Sequence, residues 1–561
     1  GDKAGKTSPP EETSPSQLLL AYAVVIATDR RRLSMRPLRV TILDLVTKGP
    51  TKSLYTRVMN PNLASIMPQV VGVWCEELGH QVRFVCYTGR EDLHRELLNE
   101  TDIVFIGAFT RSALTAYAIS NMFRARGAVT VIGGPHARSY PQDAAKYFDY
   151  VVGFTDKQLI HDILADCSPH RPLGVQLAAA RQPTELPGVK ERWKFIEPTL
   201  AKAPTSFKMV PMIGSMGCPY TCGFCVDANV DYQPLSFDQI SEDLKFLRTR
   251  MKRPMVGWHD PNFGVRFEEY MRAIETAIPP NSIDFVAEST LSLLSEPHLK
   301  RLRANGFKAI LPGIESWYDM GEKSRTGHHT GQDKVKQVAD HINVILRYIP
   351  YVQVNFVLGM DSDQGPEPFE LTKQFLERAP GAFPAFNLIT AFGQAAPFNR
   401  ELQREGRVLP FPFHFLDNLH AMNVRPKHYA WPEFYDHVVD LSQHAFSWPM
   451  IAKRAMVNRG WTPRWLNFIR SVSSGFGQIY HHTKIRRLMD TDLSVRQFME
   501  GDTLVVPPCY ARKVRGKLGP LWDMLPEGAM THDHHAYLNS YQEPVPPLIE
   551  VGPPLAAGSP T

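Results

Sequence analysis

Cysteine is scarce in this chain. Seven occur in 561 residues, at positions 75, 86, 167, 218, 222, 225 and 509. An odd number without regular spacing excludes a disulfide framework and places the chain in a reducing compartment, read here as the cytoplasm. Long apolar runs are missing too. LLLAYAVVIA (18–27) falls short of the roughly 20 residues a membrane-spanning helix takes. Its arginines, Arg30 to Arg32, follow the run, the reverse of a secretory signal. No membrane span is expected. Nor is charge of one sign in excess: the net is +5, with basic residues scattered along the chain, so no nucleic-acid partner is indicated.

What is present divides the chain. Its length exceeds what one core can hold. The first 17 residues are rich in Ser, Pro, Glu and Lys and read as disordered. Residues 1–35 are expected as an extension, with the fold opening at MRPLRVTILDL from Met35. Between about 36 and 170, short β-branched runs alternate with helical stretches: RVTILDL (39–45), QVRFVCY (81–87), DIVFIGAF (102–109), AVTVIGG (128–134) and YVVGF (150–154). Apolar strands separated by helices predict a doubly wound, Rossmann-like α/β domain with a parallel sheet. Residues 171–205, mixed in Pro, Ala and charge, read as a linker. Strand–helix alternation resumes over 206–398 in six repeats, predicting a partial (β/α)6 barrel with functional residues at its carboxyl strand ends. Residues 399–545 become mostly helical and read as a substrate-covering domain, and 546–561 as a disordered tail.

The first barrel strand runs into SMGCPYTCGFCVDANV (215–230), which brings Cys218, Cys222 and Cys225 into one glycine-rich loop. Thiolates select zinc or iron–sulfur clusters. Zinc in a closed site wants four ligands, and no fourth Cys or His follows nearby; the nearest histidine, His259, belongs to another strand end. Three thiolates on a four-iron cluster leave one iron open to a small molecule.

The CxxxCxxC loop, with Phe224 before its last cysteine, and the strand pattern around it resemble the radical S-adenosylmethionine (SAM) superfamily. That resemblance implies a [4Fe-4S] cluster on Cys218, Cys222 and Cys225, with the amino and carboxylate groups of SAM as the fourth ligand. It implies SAM contacts from Phe224, from Glu288 in AEST (287–290), from Gly313, Glu315 and Ser316 in GIES (313–316), and from Asn355 in VNFVLGM (354–360). WHDPNF (258–263) stands where the family often carries GGE; Asp260 and Asn262 are weaker candidates there, with loop hydrogen bonding as the ordinary alternative.

A doubly wound domain ahead of such a barrel is similar to the cobalamin-binding class. By that resemblance Thr110 and Ser112, at the end of the third strand, and Gly133, Gly134, Pro135 and His136, at the end of the fourth, line the slot for the cobalamin tail. The first loop, DLVTKGPTK (44–52), lacks the DxHxxG of carriers whose histidine binds cobalt, and His136 is not expected to replace it. The resemblance spans roughly 36–410. It implies methylation of an unactivated carbon of a small molecule through methylcobalamin and a 5′-deoxyadenosyl radical, with flavodoxin or ferredoxin as electron donor. A radical cyclase or ring-rearranging activity, of the magnesium-protoporphyrin cyclase kind, is the second reading; a corrinoid sensor with an inert barrel is the third. Trp431, Trp448, Trp461, Trp465 and Tyr480 could line a large hydrophobic or aromatic pocket, but helical core is the expected place for most of them. Cys509 reads as a buried structural thiol and THDHHAY (531–537) as a solvated histidine cluster.

Overall fold

The computed structural model describes residues 36–47, 64–89, 91–96, 100–167, 173–202, 207–228, 230–419 and 421–537. The expected extension at 1–35 and tail at 546–561 lie outside them.

Six strands form the first sheet: β1 (Arg39–Leu45), β2 (Gln81–Tyr87), β3 (Ile103–Ala108), β4 (Val129–Gly133), β5 (Tyr150–Val152) and β6 (Val175–Leu177). Their order is β2-β1-β3-β4-β5-β6, all parallel. Successive side chains point to opposite faces of a strand, so each strand feeds two cores. Val40, Ile42, Ile103 and Phe105 pack under the helix Ile66–Glu77. Leu43, Leu45, Val104 and Ile106 pack under Ala113–Ala125. Because β1 pairs with both β2 and β3, the chain reverses its winding there, and such switch points open a crevice beyond the carboxyl ends of the strands.

The second part carries β7 (Met209–Met212), the short pair β8 (Ser215–Met216) and β9 (Gln233–Pro234), then β10 (Met255–Trp258), β11 (Asp284–Thr290), β12 (Phe307–Glu315), β13 (Tyr351–Leu358) and β14 (Phe383–Leu388). The large sheet runs β14-β13-β12-β11-β10-β7, all parallel and in chain order, with only the β8–β9 pair set aside between β7 and β10. Six staves wound one way make an open barrel wall. Antiparallel β8 and β9 pinch the cysteine loop at its base.

The stretch 171–205 is more than a linker. It supplies β6 and a helix, Val189–Lys202, with Pro198 inside it. Arg192 on this helix donates to Gln69 of the first part (2.8 Å), while Val189 N–H donates to Asp243 of the barrel (2.8 Å). The segment bolts the two sheets together.

From Trp431 to Leu518 the chain is helical. The expectation of core aromatics holds for Trp431, which is buried with its indole N–H on the Met499 carbonyl. It fails for Trp448, Trp461, Trp465 and Tyr480, which are exposed. The histidine tract also departs from expectation: His532 and His534 are buried, and His532 stacks on Phe413. Cys509 is half-buried and packs against the main core. Among the described residues no helix is long and apolar enough to cross a membrane.

Candidate active site

The loop between β8 and β9 takes its shape from local constraints. Gly217 lies at φ +69°, and a Cβ there would stand 2.1 Å from the Asp231 carbonyl, so only glycine closes this base. Cys218 N–H donates to Val230 O (3.1 Å), and Phe398 N–H reaches back to Gly223 O (2.9 Å). Tyr220 Oη shares a hydrogen bond with Ser292 Oγ (2.8 Å), tying the loop to the end of β11.

All three thiols line one pocket of about 190 Å³. Phe224, Glu288, Gly313, Glu315 and Asn355 line the same pocket. The register explains why. Thr290, Gly313 and Asn355 are direct partners across β11, β12 and β13, one row of the barrel wall; Glu288 and Leu311 form the row below. The ladder then shifts between Gly313 and Glu315, and Glu315 sits at φ +65°. A bulge of this kind re-aims a side chain, and such strain in a non-glycine residue is characteristic of functional sites. A Cβ on Gly313 would fall 1.9 Å from Glu315 Oε1, so glycine there makes room for the carboxylate.

Glu315 is paired with Lys323 (2.8 Å), from the short helix Gly321–Ser324, and both are largely buried. Burial works against the lysine's charge, but Glu315 and the nearby Cys222 outweigh it and raise its pKa. Burial also raises the pKa of each thiol, that of Cys225 to about 11. Such thiols stay protonated unless a cation takes them. Among the described residues no three His, Cys, Asp or Glu side chains gather for a single metal ion. A cluster that gives each thiolate its own iron asks for a wider spacing than one ion does.

Ser316 is outside the pocket. Its hydroxyl accepts from the N–H groups of Tyr318 (3.1 Å) and Asp319 (3.3 Å), capping the turn after β12. Asp260 is also structural: buried, it accepts from Ser215 Oγ (2.7 Å), Gly214 N–H (3.1 Å) and Tyr270 Oη. Asn262 does face the pocket. Its side-chain carbonyl accepts from Thr290 N–H (3.0 Å), while its buried amide nitrogen has no partner among the described residues. Sequence reasoning missed Lys323, which lies off the strands in no recognisable motif.

A second cavity of about 860 Å³ opens at the switch point of the first sheet. Thr110, Gly133, Gly134 and Pro135 line it over an apolar floor that includes Ile42, Phe105 and Val131. Gly107 and Gly133 are register partners at the strand ends, so the rim carries no side chain there. Gly134 sits at φ +93°, a conformation that L side chains rarely adopt. Ser112 and His136 stand apart from this cavity. Ser112 Oγ donates to Thr47 O (3.2 Å). His136 is fully buried against Tyr117 Oη (2.6 Å), and burial, with His532 adding to it, pushes its pKa down to about 3.

The cavity extends across to the barrel, where Met216, Val226, Asp227, His259 and Glu288 wall it, and Leu416 to Asn418 add the helical region's share. Arg138, one turn beyond Pro135, donates to Asp227 (3.1 Å) and to Val226 O (2.8 Å), clamping the cysteine loop to the first sheet. Glu288 is the acidic residue common to both cavities. Although its carboxylate opens onto these spaces, it lies deep in the protein; burial raises its pKa, Glu315 adds to the rise and Lys323 opposes it.

No family model matches the chain. Two curated proteins of Chlorobaculum tepidum are similar in sequence. Bacteriochlorophyllide d C-12(1)-methyltransferase is 22% identical over 382 residues, 67% of this chain and 80% of the relative. Bacteriochlorophyllide d C-8(2)-methyltransferase is 24% identical over 403 residues, 68% and 86% respectively. Among solved structures, the cobalamin-dependent S-adenosylmethionine radical enzyme OxsB with aqua-cobalamin bound superposes with a TM-score of 0.54 at 12% identity, covering 90% of this chain and 83% of that one. The resemblance to cobalamin-dependent radical SAM enzymes carried by the cysteine loop thus extends to the fold of nearly the whole chain.

Proposed function

We propose that this chain is a cobalamin-dependent radical SAM enzyme that methylates an unactivated carbon of a large, mostly apolar small molecule. The observation that carries the reading is that two cavities, one lined by three thiols and one built at a doubly wound switch point, share the Glu288 wall. The methyltransferase names of the sequence relatives support the reaction class and suggest a bulky substrate.

The residues fit the groups this requires. Cys218, Cys222 and Cys225 would hold a [4Fe-4S] cluster, with the fourth position left to SAM. Glu315, Asn355 and Asn262 offer polar atoms to the amino acid and nucleoside parts of SAM, and Lys323 fixes Glu315 in place. Small residues at 133–135 and the Thr110 hydroxyl admit a long, flat corrinoid, with the apolar floor beneath it. When bound, these cofactors supply a carbon radical for hydrogen abstraction and a methyl group for transfer. Arg138 holds the cysteine loop against the first sheet, and Glu288 can hold or accept a proton between the two spaces. A small one-electron donor such as flavodoxin or ferredoxin completes the system, and the seven free thiols of this chain suit the cytoplasm.

The test is anaerobic reconstitution with iron, sulfide and hydroxocobalamin, followed by reduction, addition of SAM and analysis of nucleosides without substrate. Bound corrinoid together with S-adenosylhomocysteine is the expected result. Bound corrinoid with 5′-deoxyadenosine alone would favour the cyclase-type reaction. A protein that takes up no corrinoid would overturn the assignment of the first domain.

A further inference from the structure

The exposed aromatics of the helical region are concentrated in a stretch of unusual charge. Over the whole chain Lys and Arg number 62 against 57 Asp and Glu, yet residues 441–489 contain eight Lys or Arg and no acid. The same stretch carries Trp448, Met456, Val457, Trp461, Trp465 and Tyr480 on the surface, with Trp461 79%, Met456 71% and Tyr480 70% exposed. Single exposed apolar residues are ordinary, but three exposed tryptophans within eighteen positions of one helical hairpin ask for a partner.

The arrangement is built, not scattered. Helices Trp448–Val457 and Trp461–Arg470 pack on each other, joined by Asn458 to Gly460. Asn458 is buried and donates to Gly381 O (2.9 Å), fixing the corner. Trp461 and Trp465, four residues apart, share one helix face. Trp448 meets Phe476 edge-on, and Tyr480 lies one turn beyond Phe476.

The basic residues divide into two groups. Arg454 is buried on backbone carbonyls, Lys453 pairs with Glu377 (2.6 Å), Arg470 bonds Gln353 (2.7 Å), and Arg486 pairs with Asp436 (2.7 Å). Arg459, Arg464, Lys484 and Arg487 are exposed and make no ion pair among the described residues, although Arg464 donates to the Asn458 carbonyl (2.8 Å). Arg459 and Arg464 stand near Trp461 and Trp465 in sequence.

We infer that this helical hairpin docks the protein on an anionic lipid bilayer surface. Amphipathic indoles settle at the headgroup level, and Arg and Lys without an ion pair beside them meet anionic headgroups; the stretch itself contributes no carboxylate, and the bordering Glu377 and Asp436 are each paired with a base. No described helix could span the membrane, so attachment is peripheral. The hairpin sits under the amino ends of β13 and β14, where Arg470 reaches Gln353 and Arg454 reaches Ala382. Docking there leaves the carboxyl-end cavities uncovered. This inference stands independently of the reaction proposed above.

Flotation of the intact protein with vesicles tests it. The full chain is expected to float with vesicles of phosphatidylglycerol and phosphatidylcholine in equal parts and not with phosphatidylcholine alone. Arg459→Gln and Arg464→Gln should each weaken binding by about fivefold. The double variant Trp461→Ser, Trp465→Ser should abolish flotation while its circular dichroism and iron content stay those of the parent, since both side chains are on the surface. Failure of the parent to float, or undiminished flotation of the tryptophan variant, would overturn the inference. So would a solution dimer that the tryptophan variant dissolves, because the face would then be a contact between two copies.

Discussion

The two parallel sheets use the same raw material for opposite kinds of site. At the barrel mouth the pocket is small and electrostatic: three thiols, a strained Glu315 and its buried partner Lys323. At the switch point of the first sheet the cavity is more than four times larger, with glycine at its rim and aliphatic side chains at its floor. One site selects by charge, the other by shape. The contrast teaches that they should fail separately, and that Glu288, facing both, is where they must cooperate.

A crossed pair of variants breaks the comparison most severely. Cys222→Ala should abolish SAM cleavage and strip the iron while leaving corrinoid uptake intact, read by iron analysis and visible spectra. Gly133→Leu should do the reverse. A Cβ at 133 meets nothing closer than 4.0 Å, so the fold tolerates it, but the side chain would fill the cavity. If either change removes both cofactors, the two sites are not independent.

The electrostatic site should also be the costlier one to disturb. Lys323→Met leaves Glu315 buried without its partner, and loss of one member of such a pair costs about 3 kcal/mol in unfolding free energy. Denaturant titration measures this, and Lys323→Arg should recover part of it.

Behind the rim of the larger cavity, the C-terminal stretch packs His532 against Phe413 and donates from Tyr537 Oη to Asp143 (2.8 Å). His136, His534, Lys146 and Tyr140 surround this contact. Burial, with His534 and Lys146 adding to it, pushes the His532 pKa down to about 3. The folded state therefore refuses a proton that the unfolded chain accepts below the ordinary histidine value. Stability should fall as pH drops from that value toward 3, by up to about 1.4 kcal/mol per pH unit for each such histidine. Thermal melts of His532→Phe across this range should show a shallower decline.

Ser316→Ala is the mildest case. Its loss should cost about 1 kcal/mol as a turn cap and leave SAM affinity unchanged, measured by calorimetry.

Much of this was legible in the sequence because periodicity and the cysteine loop are local signals. The strands at 39–45 and 81–87 were readable to the residue, and the barrel staves in their number, six. The errors share one cause, that adjacency in sequence is not adjacency in space. Ser316 follows Glu315 and His136 follows Pro135, yet a turn or a single step sends the side chain elsewhere. Lys323 reaches the site from a short helix with no pattern of its own. Pro198 made a helix look like a linker. The outward tryptophans at 448, 461 and 465 have helical spacing but no core to meet, which composition alone does not reveal.

The central claim is that the two cavities adjoin through Glu288. Electron paramagnetic resonance of the protein loaded with both a reduced cluster and cob(II)alamin tests it directly. Adjoining sites predict a spin–spin interaction that broadens or splits the cobalt signal. Two superimposed, unperturbed spectra from a protein shown to hold both centres would contradict the account.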